Sequence, residues 1–71
     1  MYIIKHRYCI ICVDGRQRDG YFCGFEEHGL RNYDRREIAM KFKTRKEAET
    51  FIREQLVPRG GNLDVHTVVR F

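Results

Sequence analysis

Residues 41–57 read KFKTRKEAETFIREQLV, and this stretch carries the clearest structural signal in the chain. Thr44 followed by Glu47 matches the capping box, in which each side chain satisfies a backbone N–H at the start of a helix. Pro58 and Gly60 then end the helix. The apolar residues recur at helical spacing and indicate one buried stripe: Ala48, Phe51, Ile52 and Leu56. The rest of the chain is therefore expected to pack against one amphipathic helix.

Four other segments have the β-branched and aromatic residues, or the apolar–polar alternation, that is typical of strands. They are residues 2–13, 21–27, 37–43 and 63–71. Residues 28–35 have turn-forming residues and no periodicity, which predicts a loop. The predicted order is β-β-β-α-β in a single α+β domain, residues 1–71. We expect a four-stranded, mostly antiparallel (mixed) sheet with one helix packed on one face. The last strand should be parallel to the first and third, because a right-handed crossover through the helix joins it to the sheet.

The first hairpin has two possible registers. The dipeptide at 14–15, Asp-Gly, suits a two-residue type I′ turn, and this register places Tyr8 opposite Tyr21. A wider loop would shift the pairing by an odd number of residues and place apolar residues of the second strand opposite Lys5 and Arg7. We favour the tight turn because it keeps apolar residues together. The resulting core is predicted to contain Ile4, Tyr8, Phe25, Ile38, Met40, Phe42, Phe51, Ile52, Leu56, Val65 and Val69.

Length and composition bound the function. The chain has 71 residues, 14 Lys and Arg against 10 Asp and Glu, and a formal net charge of +4. Such a short chain has little material for an enclosed pocket of about 300 Å³ or more, and no catalytic set is evident. We therefore expect no enzymatic activity and no cofactor. The lack of a signal peptide or membrane-spanning segment, together with an odd number of cysteines, predicts a cytoplasmic protein that does not associate with membranes.

Basic and aromatic residues form the binding surface that the sequence predicts. The open face of the sheet should carry cations around one aromatic ring, with Arg-rich loops at its edges. This combination suits contacts to nucleic acid phosphates and bases and also to protein hot spots, although any solvated strand face shows similar alternation. The predicted binding residues are Lys5, Arg7, Phe22, Lys41 and Lys43 on the sheet face and Arg16, Arg18, Arg31, Tyr33, Arg35 and Arg36 in the loops.

Three cysteines and a histidine have the spacing C-x2-C-x10-C-x4-H, at Cys9, Cys12, Cys23 and His28. Three thiolates and one imidazole can hold zinc. However, residues three apart on a strand point to opposite faces and lie about 10 Å apart. We therefore favour small buried thiols and predict no metal, with a zinc module as a further alternative.

Residues 42–49, FKTRKEAE, resemble the strand-to-helix corner of the arm-type DNA-binding domain of tyrosine integrases, which carries the signature F-x-T-x-x-E-A. The similarity extends over residues 8–56 and departs from that domain at the fourth strand. It implies a sheet face lying in the major groove of duplex DNA, with contacts from Lys5, Arg7, Phe22, Lys41 and Lys43.

Over its whole length the chain also resembles the class of short phage and prophage accessory proteins, some of which inhibit CRISPR effector complexes. This resemblance implies a small basic phage protein that acts without catalysis in the host cytosol. It would bind and inhibit a host defence complex in the manner of an anti-CRISPR protein. The unpaired edge of the last strand separately allows an edge-strand homodimer as well as a monomer. The alternative function is that of a sheet-type double-stranded DNA-binding protein.

Overall fold

The chain folds as a four-stranded antiparallel sheet with one helix on one face, which confirms the predicted α+β class. The computed structural model describes the backbone of residues 1–10 and 17–71 and the side chains of residues 1–7 and 19–71. The strands lie side by side in the order β3-β2-β1-β4. The elements are β1 (Tyr2–Ile10), β2 (Gln17–Phe25), β3 (Arg31–Asp34), α1 (Arg45–Phe51) and β4 (His66–Arg70).

The hairpin of β1 and β2 has the register that the sequence disfavoured. Lys5 lies opposite Tyr21 and His6 lies opposite Gly20, so the prediction of the tight-turn register is wrong. The Asp-Gly dipeptide at 14–15 lies outside the described residues. An odd shift in register exchanges the two faces of a strand. As a result Phe22, and not its neighbour Tyr21, points toward the helix.

The third strand is β3, which lies within the segment predicted as a loop. A tight turn leads into it from β2: Gly29 N–H donates to the carbonyl of Glu26 at 2.8 Å, and Glu26 N–H donates to the carbonyl of Leu30 at 2.8 Å. Gly29 has φ +79°, a left-handed conformation that favours glycine. The four residues of β3 are too few to show a hydrophobic period, which is why the sequence did not reveal them.

Residues 37–43 do not form the third strand that the sequence predicted. Arg36–Ile38 is a 3₁₀ turn. Beyond it, Met40 N–H donates to the carbonyl of Phe22, and Phe42 exchanges two backbone hydrogen bonds of 2.8 Å with Tyr2. Residues 40–42 therefore lie between the start of β1 and β2 and are joined to both by single backbone hydrogen bonds or one bridge, without a full ladder.

β4 runs antiparallel to β1, so the expectation of a parallel last strand is wrong. The reason is one additional reversal of the chain. The bridge between Tyr2 and Phe42 is already antiparallel to β1. The helix then carries the chain back, and β4 leaves it in the direction opposite to β1.

The helix begins at the predicted cap. The side-chain hydroxyl of Thr44 accepts the N–H of Glu47 at 3.1 Å, and the Glu47 carboxylate accepts the N–H of Lys43 at 3.3 Å, one residue before the position of a standard capping box. Beyond α1 the helical path continues through a π-helical segment, Ile52–Leu56, and a 3₁₀ turn, Val57–Arg59.

Replacing Thr44 with alanine should lower the free energy of unfolding by about 1 kcal/mol, because the N–H of Glu47 loses its acceptor. Urea denaturation followed by circular dichroism measures this change. Thr50→Ala, inside the same helix, is the control and should leave stability unchanged or slightly higher, since alanine is the better helix former. Equal losses in both variants would contradict a capping role for Thr44.

The hydrophobic core lies between the helix and one face of the sheet. Its buried residues are Ile4, Phe22, Ala48, Ile52, Leu56 and Val68, and Tyr2, Tyr33, Phe42 and Phe51 pack against them partly buried. The core prediction is confirmed for Ile4, Ile52 and Leu56. It is wrong for three residues that are exposed, Phe25, Ile38 and Met40. The side chain of Tyr8 lies outside the described part of the chain.

The alternation of β4 is the reverse of the one predicted. His66 and Val68 are each only 7% exposed and face the helix, whereas Thr67 is exposed and Val69 is half-buried. The sequence favoured Val69 because it alternates with other apolar residues along the segment, from Leu63 to Phe71. Burial of a polar group is tolerated when it is hydrogen-bonded, and both ring nitrogens of His66 have partners.

Candidate functional site

The face of the sheet away from the helix carries Lys5 and Arg7, because they alternate with Ile4 along β1. Lys5 Nζ lies 3.2 Å from the Asp19 carboxylate, and the strand pairing also places Asp34 on this face. The half of the face around Ile3 is covered, since Ile3 is fully buried. The open half therefore carries both basic and acidic side chains and is less basic than the sequence predicted.

The charged groups of Arg36 and Lys41 lie over the ring of Phe71. The guanidinium carbon lies 4.7 Å and the ammonium nitrogen 4.3 Å from the ring centroid. Two hydrogen bonds fix these side chains: Arg36 donates to the carbonyl of Arg70 at 3.0 Å, and Lys41 donates to the carbonyl of Ala39 at 3.1 Å. Phe71 remains 40% exposed. We call Arg36, Lys41 and Phe71 the Phe71 cluster.

The Phe71 cluster has unneutralised positive charge. Within the described part of the chain, no carboxylate forms an ion pair with Arg36 or Lys41. A cation over an aromatic face is stabilised without a counter-ion, so both groups can still bind an anion. Phe71 is two residues after Val69 and therefore lies on the same side of the sheet. Val69 lies opposite Ile3, which shares its face of β1 with Lys5 and Arg7. The cluster therefore lies on the same side of the sheet as Lys5 and Arg7.

The other predicted binding residues are placed elsewhere. Phe22 is fully buried, with its ring centroid 5.4 Å from that of Phe51, so its prediction as an exposed contact is wrong; the register of β2 is the reason. Lys43 and Arg35 are exposed, and the backbone N–H of Arg35 donates to the Asp34 carboxylate at 2.7 Å. Arg16 and the side chain of Arg18 lie outside the described residues.

Arg31 and Tyr33 lie on β3 and not in a loop, and Tyr33 faces the helix side. The Tyr33 hydroxyl lies 2.6 Å from Nε2 of His66 and accepts a hydrogen bond from Arg31 at 3.3 Å. His6 packs edge-on against both rings, at centroid distances of 4.7 Å from Tyr33 and 4.9 Å from His66. We call His6, Arg31, Tyr33 and His66 the His66 cluster.

Sequence reasoning did not find the His66 cluster. His6 and His66 meet because they are directly opposite each other on β1 and β4, and this depends on strand order and direction. Burial lowers the pKa of His66, and the nearby charges of His6 and Arg31 lower it further. Burial also lowers the pKa of His6, with Arg31 adding to the effect. Both shifts favour the neutral form of the imidazole.

Two arginines cover the outer edge of β4. Arg45 donates to the carbonyl of Val68 at 3.2 Å, and Arg36 donates to the carbonyl of Arg70. Unpaired edge carbonyls invite pairing with another strand, so these guanidinium groups protect the edge. A homodimer formed through this edge would have to displace both of them.

The predicted thiol cluster is only partly described. The thiol of Cys23 donates to the carbonyl of Tyr21 at 3.1 Å, and burial, followed by the charge of Asp34, raises its pKa. The side chain of Cys9 and all of Cys12 lie outside the described residues. Among the residues that are described, no three His, Cys, Asp or Glu side chains are grouped as metal ligands.

Comparison with protein-family models, with curated proteins and with solved structures finds no match to this chain in any of the three. The described helices also fall well short of the roughly 20 apolar residues that crossing a bilayer requires. The geometry of the two clusters is therefore the basis for proposing a function.

Proposed function

We propose that this chain is a non-enzymatic binding protein that grips an anionic surface of a partner through the sheet face away from the helix. The observation that carries the proposal is the Phe71 cluster, in which two cations are held over one exposed ring and form no ion pair with a carboxylate among the described residues. Following the resemblance to short phage proteins, we propose that the partner is a host defence complex in the cytosol, specifically a CRISPR effector complex that this chain inhibits.

Preorganisation supports this function. Arg36 and Lys41 are each fixed by a hydrogen bond to a backbone carbonyl as well as by the ring. A side chain already held in place loses little conformational entropy when it binds, and that loss is about 0.5–1.5 kcal/mol for a free long side chain. The cluster is thus better suited to specific binding than isolated surface lysines are.

The mixed charge of the open face favours a protein or ribonucleoprotein surface over bare DNA. Asp19 and Asp34 lie among Lys5 and Arg7 on this face. A uniform phosphate backbone would repel these carboxylates, whereas a partner with both charges can match them. Electrostatic complementarity of this kind governs specificity more than affinity.

Charge reversal of the Phe71 cluster tests the proposal. The Arg36→Glu/Lys41→Glu variant should bind an inhibited effector complex about 100-fold more weakly, equivalent to about 2.7 kcal/mol, because two preorganised cations become anions. The measurement is biolayer interferometry and target-cleavage inhibition with a panel of purified CRISPR effector complexes loaded with guide RNA. Folding of the variant is checked by circular dichroism.

The matched control is Lys46→Glu/Arg53→Glu, which makes the same change in net charge at two exposed positions, one in α1 and one in the π-helical segment that follows it. It should change affinity by less than about threefold, as is usual for charges outside an interface. Equal losses in both variants would mean that only net charge matters. Failure of the native chain to bind or inhibit any complex in the panel would reject the inhibitor function.

Double-stranded DNA binding is the second candidate, and the exposed Phe71 ring between two cations favours it. Fluorescence anisotropy of labelled duplex DNA at low and physiological salt separates the two functions. A DNA-binding protein should lose affinity steeply, with a slope of about 0.9 per neutralised phosphate in a double-logarithmic plot. Absence of binding at low salt would exclude this candidate.

A further inference from the structure

The His66 cluster brings two imidazoles and a phenol together from three strands. His6 and His66 are a cross-strand pair whose ring centroids are 4.9 Å apart. Gly20 lies opposite His6 on β2 and has no side chain. The ring of Tyr33 on β3 can therefore extend over β2 and contact both imidazoles, at centroid distances of 4.7 and 5.7 Å.

Hydrogen bonds to the backbone set the same tautomer in both histidines. Nδ1 of His66 lies 2.6 Å from the carbonyl of Asn62, and Nδ1 of His6 lies 2.8 Å from the carbonyl of Arg7. A carbonyl only accepts, so each Nδ1 carries the proton and each Nε2 carries a lone pair. A histidine that binds a metal through one nitrogen typically donates its other N–H in this way.

We propose that His6, His66 and Tyr33 form a binding site for a divalent transition-metal ion such as Zn²⁺. The Nε2 atoms of the two histidines and the Tyr33 oxygen are the three protein ligands, and water completes the coordination. The ion takes the place of the proton shared between Tyr33 and His66, and that proton passes to solvent. Two imidazoles with one phenolate suit borderline ions of this kind and not Mg²⁺ or Ca²⁺.

The surroundings of the cluster fit this role. Arg31 already donates to the Tyr33 oxygen at 3.3 Å, and the same bond would stabilise the phenolate that the metal requires. A groove of about 380 Å³ between the helix and β4 reaches His66, and Glu49 lines it together with Arg45 and Arg53.

Titration of the native chain with Zn²⁺ by isothermal calorimetry tests the site. We expect one ion per chain. We also expect the Nε2 resonances of His6 and His66 to shift in imidazole ¹⁵N spectra while those of His28 do not. His6→Gln should weaken Zn²⁺ binding by more than about tenfold, since even an outer-shell partner of a metal ligand is worth about 10–100-fold. His6 is only half-buried, so this variant is the one best able to fold.

Two further variants make the result specific. Cys23→Ser/His28→Gln removes the described members of the alternative thiol cluster and should leave Zn²⁺ binding unchanged. Tyr33→Phe should bind Zn²⁺ more weakly than the native chain does and should release about one proton fewer on binding. Calorimetry in two buffers of different ionisation enthalpy measures the number of protons released. The proposal is overturned by any of three results: no Zn²⁺ uptake by the native chain, loss of uptake in the Cys23/His28 variant, or unchanged proton release in Tyr33→Phe. None of these results bears on the Phe71 cluster, so the two proposals stand or fall separately.

Discussion

Phe22→Ala is expected to remove a large fraction of the free energy of unfolding. The ring is fully buried and contacts Phe25, Tyr33 and Phe51 at centroid distances of 5.2, 5.8 and 5.4 Å. Truncating a buried phenylalanine costs about 3–5 kcal/mol. A domain of this size has a total stability of about 4–11 kcal/mol, at about 0.05–0.15 kcal/mol per residue. Urea denaturation followed by circular dichroism gives the loss directly.

Phe25→Ala is the matched control, because it removes the same ring from the same strand. Phe25 is 38% exposed and its ring supports the guanidinium of Arg59, 4.6 Å from the centroid. We expect a loss of about 1 kcal/mol, the usual size for a single substitution outside the core. In the tight-turn register Phe25 would face the core and Phe22 would be open. A larger loss for Phe25→Ala than for Phe22→Ala would therefore contradict the observed register.

Gly61→Ala is expected to lower the free energy of unfolding by about 3 kcal/mol, the upper part of the range for overpacking. Gly61 N–H donates to the carbonyl of Leu56 at 2.8 Å, so the chain crosses close to the end of the helical segment. A Cβ at this position would lie 2.6 Å from that carbonyl oxygen and 2.9 Å from its carbon. Both atoms belong to the backbone, and the chain must move to relieve the clash.

Gly29→Ala separates this clash from the conformational cost of losing a glycine. Gly29 has φ +79°, and among the described residues beyond its chain neighbours no atom lies within 4 Å of an added Cβ. Its substitution therefore costs only the left-handed conformation, about 1–2 kcal/mol. Thermal and urea denaturation of both variants rank the two effects. A smaller loss at Gly61 than at Gly29 would show that the crossing at Leu56 is looser than described.

The sequence predicts the helix, its cap and the α+β class because their signals are local. Thr44 and Glu47 lie within one turn, and the apolar stripe is read from a single segment. Register and strand direction depend on distant partners, and there the sequence failed. The alternation of a strand does not say which face is buried, so Phe22 and Phe25 exchanged roles, and β3 is too short to alternate detectably.

In the candidate sites, too, local features could be predicted and contacts between distant residues could not. Lys5, Arg7 and Lys41 share the side away from the helix, as the alternation of basic residues predicted. Arg36, which was predicted in a loop, lies beside Lys41 on the same side. The contacts of Arg36 and Lys41 with Phe71 could not be predicted, because they depend on how residues 36–41 cross this side of the sheet. The pairing of His6 with His66 required β4 to lie antiparallel beside β1, so no reading of the sequence alone would bring them together.

The guanidinium of Arg36 belongs to two surfaces at once. It lies over the Phe71 ring and also occupies the carbonyl of Arg70 at the edge of β4. An anion that binds Arg36 in the position where the ring and the Arg70 carbonyl already hold it leaves the edge covered. Capture of an anion therefore also holds the guanidinium over the edge of β4, beside the Val68 carbonyl that Arg45 covers, and a bound partner makes the addition of another strand at this edge less favourable.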